Sequence, residues 1–181
     1  MKIISGIYKG RVLKGFDLEG TRPTMDRVKE SIFAVIQEYV PGSVVLDLFA
    51  GSGNLGIEAL SNGASYLYLC DSNPKVIRII DQNLSMIGIN SCKRYCMDYL
   101  KCLELFHQEG ITFDLIFLDP PYQTNYIEKA LKKIEEYQLL NSDGMIVCES
   151  DSLDKIVYPD SFSCVKDKKY GDKFVVFLQK I

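Results

Sequence analysis

The chain has 181 residues, 47% of them hydrophobic, and a formal net charge of −3. That length supports one core and one domain, and the charge excludes a general polycation. No apolar run approaches the ~20 residues that span a bilayer, and the amino terminus lacks the apolar core of a secretion signal.

Six cysteines occur without a C-x-x-C pair, the pattern of reduced thiols in a cytoplasmic protein. Cys92, Cys96, Cys102 and the single His107 fit no zinc-finger or ribbon spacing, so no metal is expected. The basic residues are uneven. Lys2, Lys9, Arg11 and Lys14 all precede the first acid, Asp17, which leaves a basic amino-terminal arm able to meet a polyanion locally.

From Lys2 to Phe16, short apolar residues alternate with Gly6, Gly10 and Gly15, predicting a small β-hairpin or meander. Arg22-Pro23-Thr24 turns into a helix whose Val28, Ile32, Val35, Ile36 and Tyr39 share one face. Pro41-Gly42 ends it. Strands and helices then alternate: a strand over 44–49, a glycine loop and helix to about 61, a strand over 66–70, and a helix opened by Pro74. A weaker strand covers 93–97, and a nearly all-apolar one covers 113–118, as expected for a strand buried on both faces. A helix over 126–137, a strand over 145–148 and two closing strands around 162–165 and 174–178 complete the chain. This order predicts an open, mostly parallel sheet of seven strands that binds its ligand beyond the strands' carboxyl ends.

Gly51-Ser52-Gly53-Asn54-Leu55-Gly56 matches G-x-G-x-x-G, the dinucleotide fingerprint, with Asp71 twenty residues beyond Gly51. Asp47 speaks against a dinucleotide, because a carboxylate beside a pyrophosphate adds repulsion. Moreover, Asp47, Asp71, Asp98 and Asp119 sit at or just past the ends of four successive strands. A row of acceptors suits a ligand with ribose, adenine and a cationic amino-acid portion. S-adenosylmethionine has all three and no phosphate, so it is preferred here to NAD.

"LDLFAGSGNLGIEAL" (Leu46 to Leu60) resembles the first motif of Rossmann-like class I S-adenosylmethionine-dependent methyltransferases. The resemblance implies that Asp47 and the loop of Ala50, Gly51, Ser52 and Gly53 hold the methionine end. It further implies that Asp71 accepts from the ribose hydroxyls and Asp98 from the adenine amine. "LIFLDPPY" (Leu115 to Tyr122) resembles the catalytic tetrapeptide of methyltransferases acting on exocyclic amines of bases. Asp119 and the Pro120 carbonyl can each accept one N–H of such an amine, turning its lone pair toward the methyl donor. Tyr122 can stack on the extruded base, which offsets part of the unstacking cost.

These two motifs leave DNA adenine, RNA guanine and protein glutamine amines open. "KIISGIYKGRVLKG" (Lys2 to Gly15) and "TRPTMDRVKESIF" (Thr21 to Phe33) narrow the choice. With the loop, DPPY and the closing Tyr170-Gly171, they make the chain similar from end to end to the RsmD family of bacterial 16S ribosomal RNA guanine-N2-methyltransferases. The implied architecture is one methyltransferase domain over 1–181, with a basic hairpin extension over 1–20 and a catalytic core over 21–181. The implied partner is 16S ribosomal RNA, in the small subunit or an assembly intermediate. Arg11, Lys14, Arg22, Arg27 and Lys29 are the candidate phosphate contacts. An adenine-N6 or other nucleic-acid amine methyltransferase, and a ribosome-assembly factor without catalysis, stand as alternatives. With no heptad and no obvious apolar surface, a monomer is expected.

Overall fold

The computed structural model describes residues 1–15, 23–121 and 125–181. In chain order the elements are α1 (Pro23–Ile36), β1 (Val44–Asp47), α2 (Asn54–Ser61), β2 (Tyr66–Asp71), α3 (Pro74–Ile87), β3 (Cys92–Cys96), α4 (Tyr99–Glu109) and β4 (Phe113–Leu118). There follow α5 (Tyr126–Glu136), β5 (Leu140–Ser150), a 3-10 turn (Leu153–Lys155), β6 (Phe162–Tyr170) and β7 (Lys173–Lys180). The strands form one seven-stranded sheet in the order β3-β2-β1-β4-β5-β7-β6. β1 to β5 run parallel, and β7 inserts antiparallel between β5 and β6. This is the open, mostly parallel sheet that the alternation of elements predicts, and with its amino-terminal extension it is the Rossmann-like class I methyltransferase fold that the resemblance implies.

Successive strand residues point to opposite faces, and both faces are covered. Val45, Leu67, Leu115, Phe117, Val147 and Phe177 pack with α1, α2, α3 and the arm. Leu46, Cys70, Ile116, Leu118, Ile146 and Val176 pack with α4 and α5 on the other side. Double coverage is why β4 reads as an apolar run broken at one position, Asp114.

Helix α4 was not foreseen. Its Tyr99, Cys102, Leu103 and Phe106 are buried at helical spacing, Asp98 caps its first turn, and Gly110 ends it in the left-handed conformation. β6 extends five residues past the predicted Val165, through the lysine-rich stretch to Tyr170. As an edge strand it is mostly exposed, so no alternating apolar pattern announced it.

The arm forms a hairpin reduced to one antiparallel bridge, Lys2 with Val12. Three backbone bonds cross it, from the N–H groups of Ile3, Gly10 and Leu13 to the carbonyls of Arg11, Ile3 and Met1 at 2.9, 2.8 and 2.9 Å, and tertiary contacts seat it on the core. Ile3 and Leu13 are buried in the core. The Ile7 N–H donates to the Ser61 carbonyl at 2.8 Å, and Ser61 Oγ donates to the Ser5 carbonyl at 2.6 Å. Gly6 lies so close to the end of α2 that a Cβ there would meet the Ser61 carbonyl oxygen at 1.8 Å. No helix among the described residues is long and apolar enough to cross a membrane.

Candidate active site

β1 ends at Asp47, and the chain then turns across the sheet edge, with the Ala50 N–H donating to the Cys70 carbonyl at 2.9 Å. Gly51 and Gly53 have φ of +55° and +82°, values that a side chain disfavours. Gly53 thereby becomes the residue that opens α2. Asp47 is 1% exposed, and its Oδ2 accepts the Gly56 N–H at 3.0 Å. Burial raises its pKa to about 7; the Gly56 bond opposes this and the charge of Asp71 adds to it. Beside the loop, Asp71 accepts from the Gly51 N–H at 3.2 Å and from the Asn73 N–H at 2.9 Å. Its carboxylate is thus fixed in orientation at the end of β2.

Two cavities open along this edge. One, of about 440 Å³, lies over Asp71, Asp98, Tyr99 and Tyr126. Its walls include an aromatic group: Phe49 and Tyr99 have ring centroids 5.1 Å apart, Tyr99 and Tyr126 4.9 Å. The other, of about 270 Å³, lies over Asp47, Ala50, Ser52 and Asn54, with Glu149 and Lys173 at its wall. Phe49, Gly51 and Asp119 line both. The two cavities therefore make a two-lobed crevice with Asp119 at the junction.

Asp119 follows the last residue of β4. Burial pushes its carboxyl well above the ordinary carboxylate range; Glu149 raises it further, Lys173 opposes, and Asp47 adds a smaller repulsion. Glu149 is on the neighbouring strand, since Leu118 pairs with Cys148, and it forms an ion pair with Lys173 at the start of β7. Three ionisable groups at the same ends of three adjacent strands thus face one cavity.

The chain matches the profile of the family described as "Conserved hypothetical protein 95" over residues 1–179. It belongs to that family. YlbH of Bacillus subtilis, provisionally described as an rRNA methyltransferase, is 44% identical over 152 residues, 83% of each chain. Ribosomal RNA small subunit methyltransferase D of Haemophilus influenzae is 34% identical over 176 residues, covering 94% of this chain and 89% of that one. Among solved structures, yhhF of Escherichia coli, provisionally described as a methyltransferase, superposes with a TM-score of 0.88 at 28% identity. That match covers 99% of this chain and 97% of the other. Fold and relatives together make this member of the conserved hypothetical protein 95 family an S-adenosylmethionine-dependent methyltransferase.

In this family member the fold gathers most of the sequence-predicted site residues. Asp47, Ala50, Gly51, Ser52, Asp71, Asp98, Asp119 and Pro120 line the crevice, and buried Gly53 supports the loop from beneath. Asp98 doubles as the α4 cap: its Oδ1 accepts the N–H groups of Leu100 at 2.9 Å and Lys101 at 3.3 Å. Tyr122 and Arg22 lie outside the described residues.

Of the candidate phosphate contacts, Arg11, Lys14 and Arg27 are exposed. Lys29 must be withdrawn from that set. It is 1% exposed and its ammonium is spent internally, on Glu58 at 2.8 Å, the Lys2 carbonyl at 2.6 Å and Asn54 Oδ1 at 2.7 Å. Helical position alone cannot distinguish an outward lysine from one that meets a buried carboxylate on the next helix.

Glu149 and Lys173 were missed. The signal for Glu149 was present, because it directly follows the apolar run 145–148, as Asp119 follows 113–118. Lys173 had no such mark, since its place depends on β7 reversing direction beside β5. Asn83 was missed too. Fully buried, it accepts the Lys14 N–H at 2.7 Å and donates to the Lys14 carbonyl and the Ser52 carbonyl, both at 2.9 Å. One side chain thus ties the arm to the glycine loop. Among the described residues no group of three or more His, Cys, Asp or Glu is placed to hold a metal.

Proposed function

We propose that this protein transfers a methyl group from S-adenosylmethionine to the exocyclic N2 amine of a guanine in 16S ribosomal RNA. The observation that carries the reading is the position of Asp119, where the two lobes of the crevice meet. A group at that junction can touch both a cofactor lying along the carboxyl edge and a base entering from the side.

The donor set fits the cofactor. Asp47, Asp71 and Asp98 offer acceptors in a row, suited to an ammonium, ribose hydroxyls and an adenine amine, and ill suited to a pyrophosphate. Phe49 and Tyr99 supply flat apolar surface for the adenine in the larger lobe. No side-chain atom comes within 4 Å of a Cβ built on Gly51, so the loop leaves open space where a ligand would approach. When bound, S-adenosylmethionine supplies a methyl already activated by its sulfur cation.

The protein's own part is orientation and proton handling. A base amine is a weak nucleophile because its lone pair is shared with the ring. Asp119 accepts one N–H and the Pro120 carbonyl the other, so the lone pair leaves the ring plane and faces the methyl. As the nitrogen gains its methyl it must lose a proton, and Asp119 is positioned to take it. The raised pKa of Asp119 suits that task, since a carboxylate that holds a proton well is a better base.

The name of the Haemophilus relative supports the small ribosomal subunit as the source of the substrate. The exposed Arg11, Lys14 and Arg27 supply cations for its phosphates. The test is incubation with radiolabelled S-adenosylmethionine and, in parallel, 30S subunits, naked 16S rRNA and DNA, followed by nucleoside analysis. Label in N2-methylguanosine from ribosomal RNA is the expected result. Label confined to N6-methyladenine, or to DNA, overturns the reading.

A further inference from the structure

Resting on that reading, we propose that Glu149 and Lys173 read the Watson–Crick edge of the target base and make the site choose guanine. Glu149 accepts the ring N1–H and Lys173 donates to O6, while Asp119 holds the N2 amine. The orientation chemistry above gives this ion pair an electrostatic influence on Asp119 but no contact with the base. Yet the pair lines the same cavity as Asp119, with Glu149 only 5% exposed. A pair of one buried carboxylate and one partly exposed ammonium gives little net stability over an apolar replacement, and its place in the wall of a catalytic cavity allows a second role.

The order of groups matches one base. Along its Watson–Crick edge guanine presents the N2 amine, the N1–H and the O6 acceptor in sequence. Across the strand ends the protein presents Asp119 after β4, Glu149 on β5 and Lys173 on β7, which are neighbours in that order in the sheet. Adjacent strands lie ~4.8 Å apart, and the longer Glu and Lys side chains can converge on a single ring from that spacing. An ammonium with three N–H donors can hold Glu149 and O6 together. Adenine reverses the pattern. It offers a bare N1 lone pair to the Glu149 carboxylate and an amine to the Lys173 ammonium, two repulsive contacts in a desolvated pocket. Discrimination would come from rejection as much as from attraction.

The test compares guanosine with 2,6-diaminopurine riboside at the target position, once that position is mapped. The analogue keeps the N2 amine, replaces N1–H by a bare nitrogen and O6 by an amine. The wild-type protein should methylate guanosine preferentially, by on the order of 100-fold. In Glu149→Gln the amide can donate to a bare N1, so the guanosine rate should fall and the preference should shrink about 10-fold or more. Lys173→Gln, whose amide can accept from the analogue's amine, should shrink it in the same sense and serves if the first variant does not fold. Calorimetric titration with S-adenosylmethionine checks that each variant still binds cofactor.

If both rates fall by one common factor, the pair acts only through Asp119 and the inference is overturned. If the wild-type protein places no label on guanine N2 at all, it is the functional reading that fails. The two failures are therefore distinguishable.

Discussion

Lys29 Nζ lies 2.8 Å from Glu58 Oε2, with both side chains removed from solvent. The pair joins α1 to α2 and also seats the arm. Glu58 accepts the N–H groups of Ile4 and Ser5 and the Ser5 hydroxyl, and Lys29 donates to the Lys2 carbonyl. Removing one member leaves a buried charge and several arm donors unsatisfied. Glu58→Ala should therefore cost about 3–5 kcal/mol, read by urea unfolding, and should make residues 1–15 the first site of limited proteolysis. A loss below ~1 kcal/mol with the arm still protected would show that Ile3 and Leu13 hold it unaided.

The withdrawal of Lys29 changes the electrostatics expected of RNA binding. Arg11, Lys14 and Arg27 remain as exposed cations. Three engaged phosphates on single-stranded RNA give a log–log salt slope of about −2. Arg11→Ala should flatten that slope by roughly 0.7 and weaken binding without regard to sequence. A filter-binding series over salt concentration measures both. An unchanged slope would remove the arm from the RNA contact.

Much of this architecture was legible because β1, β2 and β4 are short, largely apolar and end at or just before an acid, and because both faces of the sheet are covered. The acids at 47, 71, 98 and 119 could be placed on one edge from order alone. What failed to show were features whose meaning depends on a second element. The burial of Lys29 requires Glu58 on another helix, and the role of Asn83 requires the arm and the loop to be already docked. β6 escaped because an edge strand rich in lysine carries no alternating apolar signal. Helix α4 did have the 99, 102, 103, 106 periodicity, and Asp98 was read as a ligand acceptor without its capping role.

Asp47 offers a test of the cofactor site that needs no turnover. Its pKa of about 7 means that it is partly protonated near neutrality. A cationic ligand beside it favours the carboxylate and expels the proton. Titration with S-adenosylmethionine at about pH 7, in buffers of differing ionisation enthalpy, should show net proton release. Adenosylhomocysteine, lacking the sulfur cation, should release less, and Asp47→Asn should abolish the effect. Binding heats independent of buffer would place the cation away from Asp47.

Asp119 sets function against stability, and pH separates the two. The carboxylate accepts an amine N–H more strongly than the protonated carboxyl does and alone can take the amine's proton, so methyl transfer should fall as pH drops through the raised pKa of Asp119. The acid limb should lie above the ordinary carboxylate range. Removing the negative neighbour in Glu149→Gln should move that limb to lower pH, and removing the cation in Lys173→Met should move it higher. For stability the sign is opposite. A carboxyl whose pKa is raised on folding leaves the folded state at full advantage below the unfolded value of 3.8, and that advantage is lost as pH rises through the folded value. Asp119→Asn removes the penalty of a buried charge. It should raise the melting temperature at about pH 8, leave it nearly unchanged at about pH 3, and sharply lower methyl transfer at about pH 8, since an amide can accept an N–H but cannot take the proton. A variant that melts lower than the parent at the higher pH would mean that the ionised carboxylate is held by more favourable contacts than Lys173 alone provides.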